Sequence, residues 1–310
     1  MITCSQWAFD YQDDKVDSTS AYAVTARDNK GLFAQYQGTL FSHDAQLSLR
    51  RDDNAQFGNQ MTGGAAWGYA FSEGLRLTAS YGTAFKAPTL NELYWPYSTY
   101  AWNGVNYIEQ GNPDLSPEKS KTAELGLRYA PDAGTRVSVS AYETRIRNLI
   151  DWASSETGAN EITWAPTNTD HARIRGFEAA LATRIRGWNL DANLTLLDPR
   201  NRSSGENEGN VLPKRARQSW RLDAERRFGN YTIGGTVFAE GARYDDDANT
   251  HRLSGYVTFD LRAEYAFAKD WRVQARLENL FDKDYGTAAA YGKPYNQPGR
   301  GLFVTVRYRP

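Results

Sequence analysis

Apolar and polar residues alternate with a period of two along most of the chain. Between residues 122 and 129 every second residue is apolar, from Ala123 to Tyr129, and Glu124 and Arg128 lie between them. This spacing is typical of a strand with one apolar and one polar face. The same alternation recurs at 137–141, 190–196, 257–265, 273–277 and 302–308. The pattern predicts an all-β protein without a helix of ordinary length.

About fourteen strands follow from the pattern, and two kinds of connection take turns between them. The strands begin near residues 2, 31, 44, 60, 74, 118, 134, 170, 187, 213, 230, 254, 270 and 299. Tight turns are predicted at 42–43, 72–74, 131–134, 186–187, 229–230 and 268–270, and long connections at 12–30, 86–117, 148–169, 198–212, 242–253 and 283–298. Short turns at one end and long loops at the other are typical of an antiparallel transmembrane β-barrel, with periplasmic turns and extracellular loops.

A soluble β-sandwich or propeller would share the alternation, so the positions of the aromatic residues help to decide. Near the tight turns the rings are in phase with the apolar positions: Tyr69, Phe71, Tyr129, Trp188, Phe228, Tyr231, Tyr265, Phe267, Trp271 and Tyr308. Rings at strand ends form the girdle of a membrane barrel, where they meet lipid headgroups. The girdle favours the barrel. Glu143 and Arg145 share the parity of Val137 and are therefore expected above the lipid band, at the external rim.

Composition excludes several classes of protein. The chain has 310 residues, with 36 Lys plus Arg against 37 Asp plus Glu, so no global charge favours nucleic acid. No apolar run approaches the roughly 18 residues of a membrane-spanning helix, and the mean hydropathy is −0.67. Cys4 is the single cysteine, which excludes a disulfide framework. The three histidines are widely spaced and no G-x-S-x-G motif is present, so an enzyme is not predicted.

Four sequence strings resemble the barrel of TonB-dependent outer-membrane receptors. They are YGTAFKAPTLNELYWP at 81–96, GNPDLSPEKSKTAELGLRY at 111–129, RGFEAALATRI at 175–185, and LENLFDKDY at 277–285 followed by PGRGLFVTVRY. Within that family, the stretches 22–36, 50–71 and 212–223 look most like the vitamin B12 (cobalamin) receptors. The resemblance implies receptor-mediated uptake of a scarce ligand, with cobalamin expected first and a siderophore or haem as the alternative. A passive porin or a soluble β-protein is the alternative of another class.

The resemblance also implies that 1–310 is part of a larger receptor barrel of about 22 strands. The signal peptide, TonB box, plug, first strands and calcium-carrying loops of the family are then expected to lie outside this sequence, and Met1 is interpreted as a truncated start. Pro310 stands where the family usually ends on an aromatic residue. The implied partners are outer-membrane lipid and lipopolysaccharide, a corrinoid ligand and, for the full-length receptor, the TonB complex. A monomer without a resident cofactor is expected.

Ligand contacts are expected in the long loops, whose aromatic residues exceed what solvation requires. A corrinoid has broad apolar faces fringed by amides, which suits aromatic platforms beside polar donors. The candidates are Tyr94, Trp95, Tyr97, Tyr100, Trp102, Tyr107, Trp164 and Tyr291, with Arg215 and Arg217 as basic donors at the external start of a strand. The same rings could instead pack loop against loop, and the two arginines could contact lipopolysaccharide or form salt bridges at the rim. The run Asp245–Asp247 is interpreted as a solvated loop and not as a calcium site.

Overall fold

The computed structural model describes residues 2–290 and 293–309, and strands make up most of these residues. The single described helix is α1 (Leu90–Tyr94). The strands are β1 (Ile2–Lys15), β2 (Ala26–Leu40), β3 (His43–Asn54), β4 (Gly58–Ser72), β5 (Leu75–Lys86), β6 (Ser98–Trp102), β7 (Val105–Glu109), β8 (Glu118–Asp132), β9 (Thr135–Gly158), β10 (Glu161–Ile185), β11 (Trp188–Asn201), β12 (Gln218–Phe228), β13 (Tyr231–Glu240), β14 (Arg243–Tyr244), β15 (Arg252–Leu253), β16 (Tyr256–Ala266), β17 (Trp271–Glu278), β18 (Gly286–Ala290), β19 (Lys293–Asn296) and β20 (Gly301–Tyr308). No described helix has the length and apolar character needed to cross a membrane.

Fourteen of the described strands follow one another through the main sheet in chain order, as the alternation predicts. The order is β1-β2-β3-β4-β5-β8-β9-β10-β11-β12-β13-β16-β17-β20. The remaining short strands belong to the long connections: β6 pairs with β7, β14 with β15 and β18 with β19. The predicted all-β, antiparallel architecture and its number of main strands are confirmed.

The tight turn between β10 and β11 has the backbone geometry that a two-residue hairpin requires. Between β10 and β11, Arg186 and Gly187 both have positive φ, 50° and 84°. Positive φ at both central residues defines a type I′ turn, whose twist matches that of the flanking strands, and glycine adopts it without strain. The chain therefore reverses within two residues at this end of the sheet.

The described chain divides into two compact units. Unit 1 comprises Met1–Tyr69, Thr78–Glu124 and Thr144–Arg173, and unit 2 comprises Ala70–Leu77, Leu125–Glu143 and Ile174–Pro310. Unit 1 has its buried apolar cluster where Leu93 and Leu115 of the β5–β8 connection pack against Ile150 of β9. The buried apolar residues of unit 2 include Val211, Leu212, Ala239, Leu253 and Tyr256, at or beyond the strand ends opposite the tight turns.

Apolar side chains cover one face of the strands and remain exposed there. In β1, Trp7 is 82% and Phe9 65% exposed, and their antiparallel partners in β2 are Ala34 and Leu32. The opposite face has polar residues, such as Gln35 on β2 and Gln46 and Arg50 on β3. Exposed apolar area of this extent is unfavourable in water but matches the hydrocarbon of a bilayer. The alternation therefore separates a lipid-facing side from a polar side.

Aromatic rings cluster in cross-strand register beside the tight turns of each unit. In unit 1 the rings of His43 and Tyr69 are 4.7 Å apart. In unit 2 Tyr231 stacks on Tyr265 at 4.5 Å, and the ring centroids of Trp271 and Tyr308 are 4.8 Å apart. These pairs lie where a membrane barrel has its aromatic girdle.

Three predicted boundaries are wrong. Residues 12–30 were expected to form a long connection, but β1 continues to Lys15 and β2 begins at Ala26. Residues 148–169 were expected to form a long loop, but β9 and β10 continue to Gly158 and from Glu161, because their ladder carries on beyond the length that a bilayer needs. Arg215 and Arg217 were expected to begin a strand, but β12 begins at Gln218. Pro213 cannot donate a ladder hydrogen bond, and Lys214 has a positive φ of 58°, so the strand cannot start there.

Candidate functional site

The connection between β5 and β8 begins with a single helical turn that sequence reasoning missed. Thr89 accepts a hydrogen bond from the Glu92 backbone at 3.1 Å, and the Glu92 carboxylate accepts one from the Thr89 backbone at 2.6 Å. This reciprocal capping box has the sequence signature Thr-x-x-Glu, which was visible in the chain. It orients α1 so that Leu93, which is fully buried, packs with Leu115 and Ile150.

Two cationic side chains bind the ends of this connection to neighbouring strands. Arg27 donates to the Pro88 carbonyl at 2.6 Å and to Asp14 at 3.1 Å. Lys86, at the end of β5, lies 3.5 Å from Glu92 and 3.2 Å from Glu118. Both ends of the segment 87–117 are therefore fixed to neighbouring strands of unit 1.

Six of the predicted aromatic ligands belong to this connection and divide into packed and exposed rings. Tyr94 accepts a hydrogen bond from Gln56 at 2.7 Å and packs on the Leu93 cluster. Trp95 meets Tyr22 and Trp152 edge to face, with centroids 6.5 and 6.4 Å apart. Loop-on-loop packing therefore accounts for part of the aromatic excess.

The exposed rings are carried by the β6–β7 hairpin and its flanks. Tyr100 stacks on Tyr107 with centroids 5.1 Å apart. Tyr97 is 61% and Trp102 58% exposed. Because β7 also pairs in parallel with β10, Trp164, which is 41% exposed, lies opposite Glu109 in the same ladder. The structure thus groups Tyr97, Tyr100, Trp102, Tyr107 and Trp164 on the external extensions of unit 1.

A polar pocket of about 710 Å³ lies at the external end of unit 1, and none of the predicted ligand residues lines it. Four cationic side chains and two carboxylates line it: Lys15, Arg27, Arg50, Lys86, Asp14 and Asp52. Amide side chains, including Asn29, Asn54 and Asn91, complete much of the wall. The surplus of cations and the amide donors suit a ligand with anionic or amide groups.

Arg50 is the centre of the hydrogen-bond network beneath this pocket. Its guanidinium donates to Asp10 at 2.7 and 2.9 Å and to Asp52 at 2.6, 2.8 and 3.1 Å. Asp52 is 6% exposed and also accepts the Asn29 amide at 2.8 Å. The sequence contained a signal for this polar wall. Alternate positions of β2 and β3 that are out of phase with the exposed apolar residues carry polar side chains, among them Arg27, Asn29, Arg50 and Asp52.

The external connections of unit 2 bind to one another through backbone and amide contacts. Asn249 bonds to both the Val211 backbone N–H and its carbonyl at 2.8 Å, joining 198–217 to 241–255. Asp245 accepts the Ala289 backbone N–H at 2.9 Å. On this platform Arg215 donates to the Pro213 carbonyl at 3.3 Å, and Arg217 lies 3.4 Å from Asp198. The predicted residue Tyr291 lies outside the described residues.

The acidic run 245–247 makes hydrogen bonds within its own connection and to its neighbours. Partial burial raises the pKa of the Asp246 carboxyl, but bonds from the His251 backbone and from the Thr250 hydroxyl and backbone lower it further, so the pKa lies below its usual range. No cluster of three or more His, Cys, Asp or Glu residues suited to a metal ion occurs in the described part of the chain.

The Asp246 contacts predict an acid-sensitive connection. Because the folded pKa is lowered, the stabilisation is complete above about pH 4, the pKa of an unfolded Asp, and is lost as the pH falls through the folded pKa. Asp246→Asn should raise hydrogen exchange of the His251 amide about tenfold at pH 7. Asp270→Asn, in a tight turn, is the control and should leave that amide unchanged. Equal exchange in the Asp246 variant and the unmodified chain would contradict the assignment.

The alternating strands, with tight turns at one end and long connections at the other, are typical of an outer-membrane barrel domain, and comparison with known proteins gives the family. The family "TonB dependent receptor-like, beta-barrel" matches residues 5–280. The chain belongs to this family, whose members are receptors and transporters of the bacterial outer membrane and not a class of enzyme.

Curated relatives are similar over nearly the whole chain. The vitamin B12 transporter BtuB of Vibrio vulnificus is 36% identical over 295 residues, which are 93% of this chain and 44% of the relative. The vitamin B12 transporter BtuB of Photobacterium profundum is 29% identical over 96% of this chain and 46% of its own length. The chain therefore spans a little under half of these relatives.

Solved structures share the fold at lower identity. The ferric enterobactin receptor PfeA of Pseudomonas aeruginosa matches with a TM-score of 0.74 and 22% identity, over 98% of this chain and 50% of that protein. The siderophore receptor PirA of Acinetobacter baumannii matches with a TM-score of 0.72 and 19% identity, over 99% and 51%. The copper transporter OprC matches with a TM-score of 0.74 and 19% identity, over 91% and 48%.

Proposed function

We propose that this barrel serves TonB-dependent uptake of a corrinoid, with vitamin B12 as the ligand. The observation that carries the proposal is the 36% identity to a vitamin B12 transporter over 93% of the chain. The structural neighbours named for siderophores and copper support the fold alone, because they are at most 22% identical. The proposal has two further parts: the full-length receptor works with a TonB complex, and residues 1–310 belong to one receptor barrel.

The geometry of unit 1 supports a corrinoid in two ways. The stacked rings of Tyr100 and Tyr107, with Trp102 and Trp164 on the same extensions, offer flat apolar surface for the face of a macrocycle. The polar pocket offers amide and cationic donors for peripheral amides and a phosphate. The aromatic candidates and the pocket would then contact different parts of one ligand.

The proposal is tested by ligand binding to the chain refolded in detergent micelles, with heat-modifiable migration as the check on folding. We expect cyanocobalamin to bind at micromolar concentration or below in equilibrium dialysis, and ferric enterobactin to bind at least about tenfold more weakly. Tighter binding of ferric enterobactin would replace the corrinoid with the siderophore class. Binding of neither probe by folded chain at micromolar concentration would remove the proposal.

A pair of matched variants tests the aromatic platform. The double variant Tyr100→Ala/Tyr107→Ala removes the external stack and should weaken cyanocobalamin binding about tenfold or more, because aromatic anchors dominate recognition energy. The double variant Tyr231→Ala/Tyr265→Ala removes a stack of similar geometry beside a tight turn and should leave binding unchanged in folded protein. Equal affinities of the two variants would contradict the role of the external stack.

A further inference from the structure

Three strand segments of unit 1 form a ladder beyond the main strands. β6 pairs with β7 in antiparallel register, and β7 pairs in parallel with residues 161–164 of β10. The Gln110 backbone N–H donates to the Trp164 carbonyl at 3.2 Å and closes the β7–β10 side of the ladder. Because side chains alternate along each strand, residues that are opposite one another in register share one of its two faces.

The first face of the ladder is polar, and its side chains bond to one another. The Thr99 hydroxyl donates to the Asn106 side chain at 2.6 Å. The hydroxyl of Thr157, on the neighbouring strand β9, donates to the Glu161 carboxylate at 2.8 Å and lies 2.9 Å from the Thr163 hydroxyl. The carboxylate of this face therefore has a partner within the protein.

The second face, the aromatic face, has a carboxylate without such a partner. Its apolar members are Tyr100, Trp102, Val105, Tyr107, Ile162 and Trp164. Glu109 is the one charged residue that the ladder places on this face, opposite Trp164 and two residues from Tyr107. Neighbouring strands are about 5 Å apart, so the carboxylate lies beside the Trp164 ring. Glu109 is half-buried, and it has no hydrogen bond or ion pair within the described part of the chain.

The segments that carry the aromatic face contain no cationic residue. Residues 87–117 and 148–169 have six carboxylates and eight Trp and Tyr rings, but no Lys, Arg or His. The chain as a whole is nearly balanced, with 36 Lys plus Arg against 37 Asp plus Glu. The negative charge around Glu109 is therefore a local feature, and it complements a positively charged ligand.

We infer that the aromatic face binds the guanidinium group of a ligand, between the Glu109 carboxylate and the Trp164 ring. A carboxylate that is partly withdrawn from water gains most from a charge-assisted hydrogen bond, and a planar guanidinium can donate two such bonds to it. The same planar group stacks on an aromatic ring and is attracted to its π-electrons. Trp164, which is 41% exposed, is accessible for this contact.

Two other kinds of cation fit the aromatic face less well. A calcium or magnesium ion requires about six oxygen ligands around one point, and Glu109 is surrounded by rings. An ammonium group is compact and strongly hydrated, so it loses more hydration on an aromatic face than a guanidinium does. The combination of one carboxylate with flat rings therefore selects the guanidinium.

This inference does not rest on a corrinoid as the transported ligand. It depends on Glu109, whereas the proposed corrinoid contacts depend on the rings and the polar pocket. Cyanocobalamin binding by the same folded sample tests the corrinoid separately, so the failure of one proposal is distinguishable from the failure of the other.

The test compares N-acetyl-arginine methylamide with N-acetyl-citrulline methylamide, a neutral molecule of nearly the same shape, by ligand-observed NMR titration of the chain refolded in detergent micelles. We expect the arginine compound to bind at millimolar concentration and at least about tenfold more tightly than the citrulline compound. Added salt should weaken binding of the arginine compound. Glu109→Gln should weaken it about tenfold, and Trp164→Leu about fivefold.

A peptide with one central arginine shows which molecule supplies the guanidinium. Binding at least about tenfold tighter than that of the arginine compound would assign the site to a segment of another polypeptide, and equal binding would assign it to a small ligand.

The control variant Glu161→Gln removes a carboxylate from the polar face of the same ladder and should leave binding of the arginine compound unchanged. Equal binding of the arginine and citrulline compounds, no binding of either by folded chain, or an equal loss in the control variant would each overturn the proposal. If Glu109→Gln does not fold, Trp164→Leu replaces it, and an unchanged affinity in that variant would overturn the proposal.

Discussion

Arg50→Met is expected to destabilise the barrel by about 2–4 kcal/mol, because it leaves a buried carboxylate without its cation. Asp52 is 6% exposed and receives three of the five hydrogen bonds from the Arg50 guanidinium. After the substitution Asp52 keeps the Asn29 amide, which carries no compensating charge. Asp10 contributes less to the loss, because its side chain is 47% exposed and water screens it. Urea unfolding in detergent micelles measures the change.

The neighbouring residue supplies the control for Arg50. Arg51 faces outward, is exposed and donates to Asn59 at 3.0 and 2.9 Å, so Arg51→Met should change stability by less than about 0.5 kcal/mol. Adding Asp52→Asn to Arg50→Met should recover much of the lost stability, because it removes the buried charge that had lost its partner. Equal unfolding midpoints for the Arg50 and Arg51 variants would contradict the importance of the network.

Leu93→Ala is expected to cost about 2–5 kcal/mol in the connection between β5 and β8, because it opens a cavity in the buried cluster of unit 1. The Leu93 side chain is fully buried, against Leu115 at 3% and Ile150 at 9% exposure. The turn of α1 and the return of the chain at Asn112 depend on this packing, since the Asn112 backbone donates to the Glu92 carbonyl at 2.9 Å.

Hydrogen exchange of the Leu93, Trp95 and Asn112 amides measures this loss locally. A cost of about 2 kcal/mol corresponds to roughly 30-fold faster exchange if the connection opens as a unit. Tyr97→Ala in the same connection removes a ring that is 61% exposed and should leave these amides nearly unchanged. Unchanged exchange in the Leu93 variant would show that the cluster does not hold the connection. Cyanocobalamin binding by the same variant should weaken, because the exposed rings are carried on this segment.

The positions of the main strands were predictable because a bilayer imposes a strict alternation. Leu125 and Glu124 cannot exchange faces without placing a charge in hydrocarbon, so parity assigns each residue to a side. Residues 148–169 were not predictable in this way. Above the membrane both faces of a strand meet water, the alternation fades, and a hairpin has the same composition as a loop.

The candidate site was predicted only in part. The aromatic excess of the long connections was visible in the sequence, but the separation of Trp95, which packs on Tyr22 and Trp152, from the exposed stack of Tyr100 and Tyr107 depends on the paths of three connections. The polar pocket joins residues of β1, β2, β3, β4 and β5 with the segment 87–91. Strand pairing brings these residues together, and the order of residues along the chain does not determine the register between neighbouring strands.

The sequence by itself determined the fold class, the face of each strand and the family, because alternation, turn chemistry and the motifs at 81–96 and 111–129 are local properties of the chain. Only the tertiary structure decided which rings pack and which remain exposed, and how Arg50 joins Asp10 to Asp52. Those features depend on the register between strands, which is fixed by hydrogen bonding between segments distant in sequence.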